Sequence, residues 1–179
     1  MPPANLPAAF LFTGYKMVIL GLGSNLGDRH SNLNAAITHI SALLLDNIKH
    51  SHIYETAPLL PPNPGPDWHK RKFLNMAVSG SLKQELSPEQ LLAQIKELET
   101  KLGRIPADRW APRIIDIDIL AIDGLVYNSA NLKIPHIGLL ERDFAMLPFA
   151  DIAPEWKHPV TGITAKEYAK QHNLNPICN

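Results

Sequence analysis

Cysteine is almost missing from this sequence: Cys178 is the single one among 179 residues. No disulfide can form within the chain, and a reducing, cytoplasmic setting is the expected one. An excess of either charge is missing too, since Lys+Arg and Asp+Glu both number 17. A net charge of zero argues against a general nucleic-acid binder or a membrane-surface protein, while leaving room for a local basic pocket. No apolar run approaches the ~20 residues of a membrane span. Internal repeats are lacking, and no Gly-Lys-Ser/Thr follows the glycine-rich stretch, so there is no P-loop. Residues 1–16 lack the basic n-region of a signal peptide. They are expected to be an extension or linker ahead of one domain over residues 17–179.

What is present is concentrated in Arg109-Trp110-Ala111-Pro112-Arg113-Ile114-Ile115-Asp116-Ile117-Asp118-Ile119-Leu120. Isoleucine and aspartate alternate strictly over residues 115–119, which predicts a half-buried strand. Asp116 and Asp118 then share one face and the isoleucines the other. Two like charges so close repel, and a cation relieves them. Their oxygens suit Mg²⁺, as one shared ion or as two ions about 4 Å apart. Arg109 and Arg113 stand just before the strand, where guanidinium forks can meet phosphate oxygens. The competing reading is a solvent-facing strand whose aspartates pair with those arginines, because D-x-D is a short and common pattern.

Around this stretch the chain alternates strands and helices without the rhythm of a doubly wound sheet. A strand is expected over 17–20, followed by a glycine-rich turn from Gly21 to Asp28 that by itself is a weak ligand signal. Asp28 or Ser31 caps an amphipathic helix through Leu33, Ile37, Ile40 and Leu44. Residues 48–54 read as a second strand carrying His50 and His52 on one face, where a surface role is favoured over metal binding. A long loop with four prolines and a basic run at residues 69–72 comes next. Residues 73–80 form a third strand, whose one polar member in an apolar stretch, Asn75, needs partners if buried. Ser87, Pro88 and Gln90 make a capping box for a helix reaching Leu102, with Gly103 as its C-cap. Asp123-Gly124 is expected to turn the acidic strand back as a hairpin onto residues 125–127. Short helices are expected over 139–144 and 165–172, with irregular chain over 148–159. The expected fold class is α+β, an antiparallel or mixed sheet with helices packed on it.

In order along the chain stand Gly21-Leu-Gly-Ser-Asn-Leu-Gly-Asp28, Tyr54-Glu-Thr-Ala-Pro-Leu59, Phe73-Leu-Asn75, Leu102-Gly-Arg104, Arg109 to Asp118, Ile134-Pro-His136 and Arg142-Asp-Phe144. This succession resembles the 6-hydroxymethyl-7,8-dihydropterin pyrophosphokinase family. The resemblance implies a ferredoxin-like sandwich and a reaction of folate biosynthesis. In that reaction a pyrophosphoryl group passes from ATP to the pterin hydroxymethyl, leaving AMP, with two Mg²⁺ ions on Asp116 and Asp118. It further implies that Arg104 and Arg113 stabilise charge on the transferring group. Glu99, Arg109, Trp110, Ile119, His136 and Arg142 would serve the nucleotide, with Ile119 lining the adenine pocket and Trp110 on a loop closing over the pterin. Phe73 and Phe144 would sandwich the pterin, with Asn75, Thr56 and Leu59 around it. A monomer is expected, open to fusion or association with a neighbouring folate-pathway enzyme.

The chain departs from the family pattern in three places. The loop between Thr56 and Phe73 is longer, the loop from Gly103 to Trp110 is a residue short with Pro106 in place of an arginine, and Ile137 replaces an aromatic. Two other classes share some of these features. Another Mg²⁺-dependent phosphotransferase or a D-x-D glycosyltransferase keeps the acidic strand but needs no aromatic sandwich. A ferredoxin-like RNA-binding module stacks bases on a sheet, yet carboxylates on that sheet repel phosphates.

Overall fold

A computed structural model describes residues 17–59, 71–107 and 111–172. Its main sheet contains β1 (Val18–Ser24), β2 (Leu45–His50), β3 (Tyr54–Thr56), β4 (Phe73–Leu82) and β5 (Asp116–Ile122). They stand in the order β2-β4-β1-β5, with β3 also on β4, and every pairing is antiparallel. Helices α1 (Arg29–Leu43) and α2 (Pro88–Lys101) join strands that are not neighbours, leaving another strand between each pair. A small hairpin pairs β6 (Tyr127–Asn128) with β7 (Lys133–Ile134), and α3 (Asp143–Ile152) and α4 (Ala165–Gln171) end the described fold.

β1 is central because both its faces are apolar. Val18, Leu20 and Leu22 meet Leu33, Ala36 and Ile40 of α1 and Leu91, Ile95 and Leu98 of α2, along with Ile117 and Ile119. Ile19 faces the other layer, with Leu120, Ala121 and Phe149. The helix caps act as expected: Asp28 accepts from the Ser31 N–H at 3.0 Å, and Ser87 and Gln90 form a complete capping box. No helix of the described residues is long and apolar enough to cross a membrane.

Four local expectations change. β1 runs on through Gly21 and Gly23 to Ser24, so the glycines are strand residues rather than a turn. The strand expected over 48–54 is two strands, because the Ser51 hydroxyl accepts from the Ala77 N–H at 2.9 Å and takes the place of a backbone rung. Beyond that break His52 turns to Asp151 of α3, with Nδ1 at 3.0 Å. The Asp123-Gly124 turn does not return a strand along β5. Asp123 gives its N–H to the Met17 carbonyl and accepts from Trp156 Nε1, while β6 finds β7. Finally, residues 139–141 are a 3-10 turn, and α3 passes through Pro148 into the segment expected to be irregular. Burial of Met146, Leu147 and Phe149 compensates the backbone bond that proline cannot make.

Candidate active site

The acidic strand carries a bulge that shapes the site. Ile19 pairs with Ala121 and Leu20 with Ile119, which leaves Leu120 as the extra residue. Asp116 and Asp118 project on the face away from α1 and α2, beside a cleft of about 370 Å³. The floor is β1, where Gly23 sits between Asn75 and Asp116, and Gly21 lies opposite Asp118. A Cβ on Gly23 would come within 3.1 Å of Asn75 Oδ1, and one on Gly21 within 3.1 Å of Leu120. The glycines thus keep the floor low enough for side chains of the two flanking strands to face a shared space. Nothing in the glycine spacing announced this, because their role comes from register.

Asp116 is heavily engaged. Arg104 Nη1 donates to its Oδ1 at 2.5 Å and Arg113 Nη1 to its Oδ2 at 2.7 Å. Burial alone raises its carboxyl, but the two guanidiniums outweigh that and hold it below the usual carboxylate range. The competing sequence reading therefore applies to Asp116 in part, with Arg104 joining Arg113. Asp118 differs. Among the described residues no side chain or backbone group donates to its carboxylate, and burial together with Asp116 pushes its carboxyl up.

Glu99 lies behind the wall rather than in it, 1% exposed. It accepts from the Ile117 N–H at 2.7 Å, from Lys96 Nζ at 3.0 Å and from Arg104 Nη1. Burial raises its carboxyl against the pull of these cations. One buried carboxylate so anchors two cations and the backbone of the acidic strand. Lys96 lines the cleft and was not among the residues singled out from sequence. Its spacing on the helix, three before Glu99, was the available signal.

On the far side, His136 ties to β5 through its N–H on the Leu120 carbonyl, and its Nδ1 accepts from the Gly138 N–H at 3.1 Å. That bond leaves Nε2 as the protonated nitrogen of the neutral ring. Burial lowers the imidazole's pKa, overcoming the aspartates. The Arg142 guanidinium lies 5.8 Å from the Phe144 ring centroid. Phe144 from α3 and Phe73 from β4 both line the cleft, with Thr56, Leu59 and Asn75. Asn75 is 7% exposed and donates through Nδ2 to Thr56 Oγ1 at 2.8 Å, which satisfies half of its amide and holds the carbonyl oxygen in place.

The cleft therefore gathers Thr56, Leu59, Phe73, Asn75, Arg104, Arg113, Asp116, Asp118, His136, Arg142 and Phe144 of the expected set. Ile119 is not brought there: it is 2% exposed on the α1/α2 face, opposite the aspartates. Arg109 and Trp110 lie outside the described residues. Among the described residues no group of three or more His, Cys, Asp or Glu is placed to hold a metal ion by itself. Two carboxylates, one of them without a donor among the described residues, fit a hard cation that keeps waters and shares substrate oxygens better than a fully protein-built cage.

Residues 19–154 match the model of the 7,8-dihydro-6-hydroxymethylpterin-pyrophosphokinase family. A 2-amino-4-hydroxy-6-hydroxymethyldihydropteridine pyrophosphokinase of Aquifex aeolicus is 38% identical over 161 residues, which cover 90% of this chain and 95% of that protein. A folate synthesis bifunctional protein of Chlamydia trachomatis is 33% identical over 92% of this chain, which spans 37% of its length. Among solved structures, Plasmodium falciparum HPPK-DHPS superposes with a TM-score of 0.66 at 18% identity, over 88% of this chain and 45% of that one. At that identity the likeness is one of fold.

Proposed function

This chain belongs to the 7,8-dihydro-6-hydroxymethylpterin-pyrophosphokinase family, and on that premise we propose that it transfers pyrophosphate from ATP to 6-hydroxymethyl-7,8-dihydropterin in a Mg²⁺-dependent reaction. The observation that carries the reading is the pairing of Asp118, which has no donor among the described residues, with an Asp116 held by two arginines across a glycine floor from Asn75 and the aromatics. Asp116 and Asp118 would hold two Mg²⁺ ions, which when bound there would neutralise phosphate charge and lower the pKa of a coordinated hydroxyl.

The chain's own residues supply the rest. Transfer of a phosphoryl-type group needs alignment and charge stabilisation more than covalent chemistry. Arg104 and Arg113 border the aspartates and stabilise the charge that builds on the transferring group. Each guanidinium has five donors, so holding Asp116 and touching a phosphate oxygen are not exclusive. Lys96, Arg142, His136 through Nε2, and Arg109 serve the nucleotide phosphates and ribose. Glu99 acts from behind by fixing Arg104 and Lys96. Phe73 and Phe144 stack on the flat ring, and the Asn75 carbonyl oxygen reads its donor edge, beside Thr56 and Leu59. Trp110 covers the pterin and helps to exclude water.

With the short β3 set aside, the β-α-β-β-α-β order, with β4 between β1 and β2 and β1 between β4 and β5, supports the ferredoxin-like reading. We take residues 17–179 as the pyrophosphokinase domain with 1–16 as a preceding extension, monomeric and cytoplasmic. The bifunctional relatives support physical association with another folate enzyme. The test is product analysis with ATP, Mg²⁺ and the dihydropterin. AMP and the pterin diphosphate in equal amounts bear the reaction out, whereas ADP refutes it.

A further inference from the structure

The paired register of β1 and β5 stops at Gly23 and Asp116. Arg113 lies three residues before that last rung, in chain with no regular structure, yet its guanidinium must sit at Asp116 Oδ2, 2.7 Å away. Two strands that stop pairing are free to splay, and a splayed Arg113 backbone would carry the guanidinium off its mark. Asn25 bridges the gap. Its N–H donates to the Arg113 carbonyl at 3.1 Å, and the Arg113 N–H donates to its side-chain Oδ1 at 2.7 Å. The two bonds hold the Arg113 peptide groups from both sides and act as one more rung beyond the ladder.

Asn25 is itself braced. Asn32 of α1 donates through Nδ2 to Ser24 Oγ at 3.1 Å and to the Leu26 carbonyl at 2.8 Å, fixing the turn on either side. Its own Nδ2 leans on the Arg71 carbonyl, at 3.5 Å, beside the base of the loop that leads to Phe73. Nothing in the glycine-rich motif itself pointed to a reacting role, since neither its spacing nor its residues form a phosphate cradle.

We propose that Asn25 is a positioning residue for Arg113, holding the arginine's backbone so that its guanidinium stays registered on Asp116 and the transferring group. This rests on the assignment of Arg113 as a charge-stabilising residue. Positioning errors of about an ångström are worth up to about a hundredfold in rate. Asn25→Ala is therefore expected to lower kcat by about ten- to a hundredfold, with KM for ATP and for the pterin, and Tm, close to wild type. Asn25→Asp keeps an oxygen for the Arg113 N–H and restores most of kcat, any effect of its added charge appearing in KM for ATP. In an Arg113→Lys background, Asn25→Ala loses most of its effect, because the two residues act as one unit.

Three results would overturn the proposal: an unchanged kcat in Asn25→Ala, a loss confined to KM for the pterin, or a loss of equal size in the Arg113→Lys background. Should Asn25→Ala fail to fold, Asn25→Asp decides, since a folded Asp variant with kcat at the level of Arg113→Lys refutes the role of the Oδ1 bond. A wild-type protein that yields no AMP would refute the underlying assignment, whereas normal AMP production with an indifferent Asn25→Ala refutes only the positioning role.

Discussion

Asp118 and Asp116 show how two identical side chains, two residues apart, come to differ. Asp116 is matched by Arg104 and Arg113, while Asp118 has no donor among the described residues and stands against Asp116 across a partly buried gap. Removing the Asp118 charge relieves both repulsion and desolvation, so Asp118→Asn is expected to abolish turnover while leaving Tm equal to or above wild type. A thermal melt beside the activity assay checks this, and a large drop in Tm would mean that the carboxylate has a structural partner. Glu99 is the opposite case. It is buried under three donors, so Glu99→Ala leaves the buried Ile117 N–H without its acceptor and takes one of two carboxylates from Arg104, which keeps Asp116. The change should cost about 1–3 kcal/mol of unfolding free energy, measured by urea titration.

Glu55 adds a case in which the fold sets a pH response. Its Oε1 accepts from Arg29 and its Oε2 from Lys72, and Arg29 also reaches the Lys72 carbonyl. Hydrogen bonds from Lys72 and Arg29 lower its carboxyl below the ordinary value of 4.5. A depressed folded pKa means that the stability it contributes is full above the unfolded value and fades as pH falls through the folded one. Wild type and Glu55→Gln should therefore differ by a constant amount in Tm near neutral pH and converge only in acid below 4.5. Divergence on acidification would show the opposite sign.

At the scale of elements, the cleft depends on β1 more than on any loop. Gly23→Ala points a methyl at Asn75 Oδ1, an amide already fixed by Thr56. Gly21→Ala crowds Leu120 instead, with its Cγ and both Cδ atoms 3.1–3.2 Å away, and none of the residues expected to hold the pterin is among its nearest neighbours. Overpacking against a fixed neighbour costs about 1–3 kcal/mol, so Gly23→Ala should raise KM for the pterin by roughly ten-fold and Gly21→Ala by much less. Titration of each variant with the pterin separates them. Caps and alternation were readable in the sequence because they are local: Ser87 with Gln90, Asp28, and the aspartates on one face all need only neighbouring residues. The alternation alone also places Ile119 away from the aspartates, so its expected nucleotide role came from resemblance and not from spacing. The glycine floor, the passage of α3 through Pro148 and the failure of the Asp123-Gly124 turn to return a strand along β5 were not readable, because each is decided by residues distant in the chain.

At the scale of the whole molecule, the sheet divides two kinds of work. One face is sealed by α1 and α2 over a continuous aliphatic core, and the other leaves space between the strand ends and α3 for the cleft. α3 helps to close that second face, with Phe144 and Arg142 at its start and Asp151 near its end tied to Tyr54 and His52. The site is thus spread over β1, β3, β4, β5, α2 and α3, and a ligand filling it contacts elements that local opening would separate. Such a ligand should stabilise the entire fold rather than one segment. With a non-hydrolysable ATP analogue and Mg²⁺ at a hundred times their dissociation constant, linkage predicts about 2.7 kcal/mol of added stability. The gain should vanish on adding a chelator and in Asp116→Ala, while melting stays a single transition. Stabilisation that survives the chelator would place the nucleotide on the arginines alone and remove the carboxylates from its binding.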